Sequence, residues 1–294
     1  MGKKITQLAT ITEIADDDLL VGVDISDTSG SAEGTNKKFT KANLLSGLAP
    51  LTPQLTGWNP DTETWAYHSV DDPTGYIKIE GKDVSANYSI GWRIMFTNGG
   101  NVIKGIITAI TFTDPDTIIT FLHEIDPTDN QALYLLTNSA ITENYFSPHK
   151  APLGFPMSPA KWSVTFLDTT QRDQSTPTQN TWYNLGTLSF SLPIGVWDIN
   201  WSAQGRYTAA TVISISMQLG ISTSNNSVSD TNLIMESGLN STFSDHSYYQ
   251  SGLVTQTSKT NWYVIGRTRN ASVAGIGLVN SITPFLVTAT CAYL

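Results

Sequence analysis

Between Ile213 and Ser222 every second residue is large and apolar. Ile213, Ile215, Met217, Leu219 and Ile221 share one face of an extended chain, and Ser214, Ser216, Gln218, Gly220 and Ser222 share the other. A period of two belongs to a β-strand, whose side chains alternate across the sheet; a helix would mix these residues around its circumference. The pattern recurs in Trp197, Ile199 and Trp201 against Asp198, Asn200 and Ser202, and in Leu188, Phe190 and Leu192. Strands of this kind are half-buried and antiparallel, with one wet face. Further runs at 162–167, 248–256, 262–268 and 284–293 bring the count to seven or eight. Turn-rich segments at 168–180, 222–232 and 239–247 separate them. Residues 158–294 are therefore expected to form an antiparallel jelly-roll or β-sandwich head.

Only 14% of the 294 residues are charged, against ~25% in typical soluble domains. Ser, Thr and Asn fill 48 of the 134 positions from 161 to 294, so hydroxyls and amides solvate the surface in place of charges.

Upstream, residues 51–157 carry short β-like runs at 76–80, 92–97, 101–112 and 117–122, each broken by Gly, Pro, Asp or Asn. They predict a β-barrel-like middle module of a size that buries one core. Its acids fall in turns such as Asp114-Pro115-Asp116 and Asp126-Pro127-Thr128-Asp129, where Asp and Pro are favoured for backbone reasons; a calcium cage would need a denser ligand loop. Residues 1–50 read as a small adaptor. An apolar run over 19–25, turn chemistry over 27–34 and a return over 35–39 predict a hairpin, and Thr40 is placed to cap one short helix over 41–48. So few large side chains fall below the size that folds alone, so the adaptor is expected to need partners. The whole chain reads as all-β.

The net charge of −9 is uneven: five Lys and seven acids in 1–50, five basic and twelve acidic residues in 51–160, and six of each in 161–294. No segment is basic enough to hold nucleic acid by its phosphates. The single cysteine, Cys291, allows no internal disulfide and reads as a small buried hydrophobe. Lys3-Lys4 is followed by polar and acidic residues rather than a secretory apolar run, and no stretch approaches a membrane span. The expectation is synthesis in a cytoplasm and no membrane insertion.

Motifs for catalysis do not assemble. The segment 75–83, GYIKIEGKD, has five residues between its glycines where a phosphate loop needs four, and ends on Asp83 where a hydroxyl is needed. Gly275-Ile276-Gly277 lacks the third glycine of a dinucleotide site and reads as a bulge or turn. His68, His123, His149 and His246 are scattered without metal spacing, and Asp245-His246-Ser247 is a run of neighbours rather than a triad built from distant segments. No catalytic residue, metal or cofactor is expected. A glycosidase would need two convergent acids, and the head offers only Asp168, Asp173, Asp198, Asp230, Glu236 and Asp245. The binding candidates are Phe243, Asp245, His246, Tyr248 and Tyr249, aromatic faces and polar groups on an expected loop at the end of the sandwich.

Two parts of the chain resemble tail-fibre and receptor-binding proteins of tailed bacteriophages. One is Lys4-Ile5-Thr6, Asp18-Leu19-Leu20-Val21, Val23-Asp24-Ile25-Ser26-Asp27, Lys37-Lys38-Phe39 and Asn43-Leu44-Leu45. The other is Gly57-Trp58, Thr64-Trp65-Ala66-Tyr67, Tyr88-Ser89-Ile90-Gly91, Tyr145-Phe146-Ser147 and Gly154-Phe155-Pro156. The resemblance implies a virion tail protein whose residues 1–50 dock on other tail or baseplate proteins. It implies a homotrimer whose head meets a bacterial surface glycan or protein. The head looks, in architecture only, like a trimeric jelly roll of the tumour-necrosis-factor or complement-C1q type, and its closing strand over 285–293 would suit a central subunit contact. Relatives with a long shaft carry heptads or repeats, which this chain lacks, so a short, stubby spike is expected. Two alternatives stand beside it: a tail-associated glycan-degrading enzyme, and a purely structural baseplate or head-decoration protein.

Overall fold

The computed structural model describes residues 19–24, 29, 35–40, 55–279 and 285–294. Strand β1 (Leu19–Asp24) pairs antiparallel with β2 (Thr35–Thr40), from Asp24 opposite Thr35 to Leu19 opposite Thr40. That is the expected hairpin; the helix expected over 41–48 lies outside the described residues. The chain divides into two compact units, Met1–Trp58 and Asn59–Leu294. No helix among the described residues is long and apolar enough to cross a membrane.

The first sheet of the larger unit uses β3 (Asn59–Pro60), β4 (Ala66–Asp71), β5 (Thr74–Ile79), β6 (Arg93–Asn98), β7 (Asn101–Thr113) and β8 (Asp116–His123). A minor ladder of β9 (Ile125–Asp126) and β10 (Gln131–Ala132) follows, and β11 (Ile141–Ser147) returns to the sheet, whose order is β3-β11-β6-β7-β8-β5-β4. All four expected runs are strands here. The β6–β7 hairpin turns on Gly99 and Gly100, with φ of +58° and +83°, a pair of left-handed residues whose twist suits a two-residue hairpin. Asp114-Pro115 forms the turn between Thr113 and Asp116, as expected. Asp126 accepts from both the backbone N–H and the hydroxyl of Thr128, and those bonds hold its carboxyl below the usual range.

One face of this sheet buries Ile77, Ile79, Ile94, Phe96, Ile103, Ile107, Ile119 and Phe121. A lone sheet can hide such a face only by curling. It does so: Trp65, at the β4 end, lies edge-on to Phe96 of β6, with ring centroids 5.8 Å apart, although four strand-to-strand steps separate β4 from β6 in the order. The 61–65 segment spans the gap between the edges β3 and β4. Tyr88 donates to Asp61 at 2.6 Å and Asn144 donates to the Glu63 carbonyl at 3.2 Å. The result is a partly open barrel.

The head consists of β12 (Ser163–Asp168), β13 (Arg172–Ser175), β14 (Tyr183–Leu192), β15 (Gly195–Ser222), β16 (Ile234–Gln256), β17 (Thr260–Thr268), β18 (Val273–Leu278) and β19 (Phe285–Cys291). It is an antiparallel β-sandwich. Its spine is one ribbon, β15 paired with β16 from Gly195 opposite Gln256 to Gly220 opposite Ile234. β15 also pairs with β19 over 197–202, with β18 over 205–209 and with β17 over 217–222. A register shift between Thr208 and Ile213 marks where the ribbon bends and folds its two halves together. Tyr248 and Met217 then close on Gly205, where an added Cβ would lie 2.6 Å from the Tyr248 ring. The alternation holds on both halves: Trp197, Ile199, Trp201, Met217, Leu219 and Ile221 are buried, as are Phe285, Val287, Ala289 and Cys291. Burial pushes the Cys291 thiol up to about 11.

Two expected turn segments are corrected. Residues 239–247 run inside β16, and 172–175 within the expected turn 168–180 form β13. Ser, Asn and Asp favour turns locally, but pairing with β15 along the ribbon satisfies the backbone instead.

Barrel and head are tied by polar contacts. Lys259 reaches Asp71 at 2.9 Å and the Asp72 carbonyl at 2.9 Å. Asn130 exchanges two bonds with the Thr165 backbone, at 2.8 and 2.9 Å. Deepest is Arg93, 0% exposed, which donates to three carbonyls: Gly91 at 2.6 Å, Lys150 at 3.1 Å and Tyr293 at 2.9 Å. Its guanidinium also lies 5.2 Å from the centre of the Phe155 ring.

Candidate functional site

The end of the head formed by β13, β18, β15 and β16 carries a trough of about 290 Å³ on its outer face. Register builds it in two rows. Asp173 lies opposite Gly277, Gly277 opposite Arg206, and Arg206 opposite Asp245; one step along, Ser175, Gly275, Thr208 and Phe243 align in the same way. The central strand thus contributes only hydrogen atoms to this face, while Ile276 between the glycines is buried on the other. The side chains of this face stand on the two flanking sides, and the Asp173 carboxylate leans over Gly277.

At Gly277 there is no room for a larger residue. A Cβ on Gly277 would sit 2.1 Å from the Arg172 carbonyl oxygen and 2.7 Å from Asp173 Oδ1. Beside Gly275 the pairing of β15 with β18 shifts between Thr208 and Ala209. The expected bulge is therefore present, and it lies within a strand that also floors a cavity.

Arg206 is held from two sides. Its Nε and Nη2 donate to Asp245 Oδ1 and Oδ2 at 2.8 and 3.1 Å, a directly opposed cross-strand pair of the favourable kind. Those bonds raise its pKa, with Asp173 adding to the effect. The guanidinium carbon lies 4.8 Å from the centre of the Phe243 ring, within cation–π range. On the opposite flank Gln171 donates to Asp173 Oδ2 at 2.6 Å. Among the described residues, Arg206 Nη1, Asp173 Oδ1 and the hydroxyls of Ser175 and Thr208 take no hydrogen bond. The trough thus offers donors and acceptors beside a half-exposed aromatic ring, on a floor of backbone.

The residues singled out by sequence separate by strand parity. Phe243 lines the trough and Asp245 anchors its guanidinium. His246 and Tyr248 point to the other side: the His246 ring stacks on buried Tyr207 with centroids 6.2 Å apart, and Tyr248 is 1% exposed. Burial raises the Tyr248 phenol. Tyr249 is exposed on the outer face farther along β16, its hydroxyl 3.1 Å from Asn200. The expected loop is thus corrected to a strand, which brings together two of the five residues. Sequence reading missed Gln171, Asp173, Ser175, Arg206 and Thr208. The signal for their floor was two glycines spaced by two inside a strand-like run.

Beneath the trough the Tyr207 hydroxyl is buried with no hydrogen-bond partner among the described residues. Tyr207→Phe removes an unsatisfied polar atom and keeps the ring, so urea unfolding should show a neutral effect or a gain of up to about 1 kcal/mol. A loss above that size would mean that the hydroxyl is bonded in solution.

Among the described residues no three His, Cys, Asp or Glu side chains converge as metal ligands. Neither a protein-family model nor a curated protein matches the chain. Solved structures with some likeness include dimeric latent PorU from Porphyromonas gingivalis, at 10% identity and a TM-score of 0.26, with 78% of this chain and 24% of that chain covered. The isomalto-dextranase of Arthrobacter globiformis T6 gives 14% identity and a TM-score of 0.22, covering 78% of this chain and 36% of the other. The VP2 subviral particle of infectious bursal disease virus gives 11% and 0.21, covering 82% of each chain. The chain spans about a quarter and a third of the first two. Likenesses this slight carry nothing about activity or partners.

Proposed function

We propose that the chain is a non-enzymatic attachment protein of a tailed-bacteriophage virion, a short tail fibre or receptor-binding protein. It works as a homotrimer, with residues 1–50 docking on tail or baseplate proteins and the head meeting the bacterial surface. The observation that carries the reading is the trough: unengaged donors and acceptors beside an aromatic ring, held on paired strands and open to solvent. Rigid presentation of that kind suits recognition. The resemblance of the first half of the chain to phage tail proteins supplies the setting.

The chemistry of the trough favours no hydrolytic alternative. Asp173 and Asp245 stand three strands apart in one row, roughly 14 Å between backbones at ~4.8 Å per strand, and both Asp245 oxygens are held by Arg206. A glycosidase pair brings its carboxyls to within about 5–9.5 Å and leaves both free to move protons.

Gold-labelled antibody against the chain should mark the tail end of particles in electron micrographs, and sedimentation of the purified chain should give a trimer. Label confined to the capsid would favour the decoration reading, and a stable monomer at micromolar concentration would remove the trimer.

A further inference from the structure

We infer that the trough takes a neutral sugar unit with adjacent hydroxyls, in preference to an acidic sugar, a phosphate or a nucleotide. This deepens the attachment reading and rests on it only for the source of the sugar.

Charge decides the first half. Among the described residues the trough holds one guanidinium, Arg206, and its charge is already answered by the bidentate Asp245 carboxylate. Asp173 then remains as a second carboxylate, its Oδ1 facing the cavity without a bonded donor among the described residues. The local balance is one positive against two negative groups. An anion entering here would meet net repulsion and find no unneutralised cation.

Hydrogen-bond roles decide the second. Within this row Asp173 Oδ1 can only accept, and Arg206 Nη1 can only donate. A ligand must give a proton to one flank and take one from the other. Neighbouring sugar hydroxyls do both at once, each being donor and acceptor, and the Ser175 and Thr208 hydroxyls in the next row can bond the same ring or its neighbour. An apolar ligand would leave Asp173 buried without a donor, at a cost of about 1–3 kcal/mol or more for a charged group.

Shape completes it. Gly275 leaves the floor of the trough without a side chain of its own, and Phe243, 51% exposed, gives an apolar surface for the C–H face of the sugar. At about 290 Å³ the trough is short. Its single exposed ring is no deep pocket of the kind that anchors a protein hot spot. A protein receptor is therefore the less favoured occupant.

The test uses the full chain on an array of neutral galactose, glucose and N-acetylglucosamine oligosaccharides beside glucuronate, N-acetylneuraminate and phosphorylated sugars. Binding should fall on neutral members. Asp173→Asn and Phe243→Ala should each weaken it at least tenfold without moving the melting temperature, while Leu253→Ala, elsewhere on β16, should leave it unchanged. Preference for the acidic or phosphorylated members, or no neutral sugar bound by the unmutated chain, would overturn the inference.

Whole bacterial cells separate this from the attachment reading. Cell binding abolished by mild periodate, which cleaves adjacent diols, supports the inference. Binding that survives periodate and is lost on protease treatment of the cells overturns it and leaves attachment standing. Neutral-sugar binding on the array with no binding to any cell panel overturns attachment and leaves the inference standing.

Discussion

Exchanging Arg93 for methionine is expected to destabilise the folded chain by about 3–5 kcal/mol, the range for breaking a buried charged network. Arg93 is fully buried and meets no carboxylate among the described residues; three carbonyls, from Gly91, Lys150 and Tyr293, take its N–H groups. Burial lowers its pKa, so the site tolerates the charge only through those bonds. Methionine fills much of the stem volume but strands the carbonyls, each hydrogen bond to a charged group contributing about 1.5–3 kcal/mol. One of the three belongs to Tyr293, just beyond β19, so the same change loosens this part of the head from the barrel. Urea unfolding followed by tryptophan fluorescence measures the loss. Lys150→Met, which removes an exposed bond to the Leu294 carbonyl, should cost under about 1 kcal/mol. Equal effects from the two would contradict the role given to Arg93.

Acid should weaken the barrel through His123. The ring is 1% exposed and packs on Phe121 with centroids 4.6 Å apart. Burial drives its pKa from 6.5 down to about 3, outweighing the Tyr134 backbone, which favours the charged ring. In the unfolded chain the ring takes up a proton near pH 6.5, and in the folded chain only near pH 3. Each step down in pH between those values therefore favours unfolding. The contribution is complete above 6.5, falls through the window and is lost by about 3; at ~1.36 kcal/mol per pH unit this is roughly 5 kcal/mol. Carboxylates such as Asp168, whose pKa Arg172 helps hold down, also lose stability in acid, so the readout is the difference between wild type and His123→Leu. That difference should change by several kcal/mol between pH 7 and pH 4; a constant difference would place the ring in water or in a lasting hydrogen bond.

Much of the architecture was legible because it depends on a local period. Trp197, Ile199 and Trp201, or Met217, Leu219 and Ile221, announce a buried face within a few residues of sequence. The bend between Thr208 and Ile213 was not legible, since nothing local distinguishes one folded ribbon from two separate hairpins. Composition misled at 239–247, where Asn240, Ser241, Ser244 and Asp245 look like a turn and instead extend β16. The trough was least accessible. Its walls come from 171–175, 206–208 and 243–245 and its floor from 275–277, so only the strand register places Asp173 and Asp245 about Arg206. Phe243 was found for its exposed ring, although on a strand rather than a loop. Gly275 and Gly277 were visible, but their meaning required knowing which strands flank them.

The most direct measurement is adsorption of the labelled full chain to bacterial cells, comparing wild type with Gly275→Val, which fills the trough from its floor. Saturable binding by the wild type, lost in a variant that still unfolds cooperatively, is the predicted result. Undiminished binding by the variant would show that the head meets its partner elsewhere and would contradict the account.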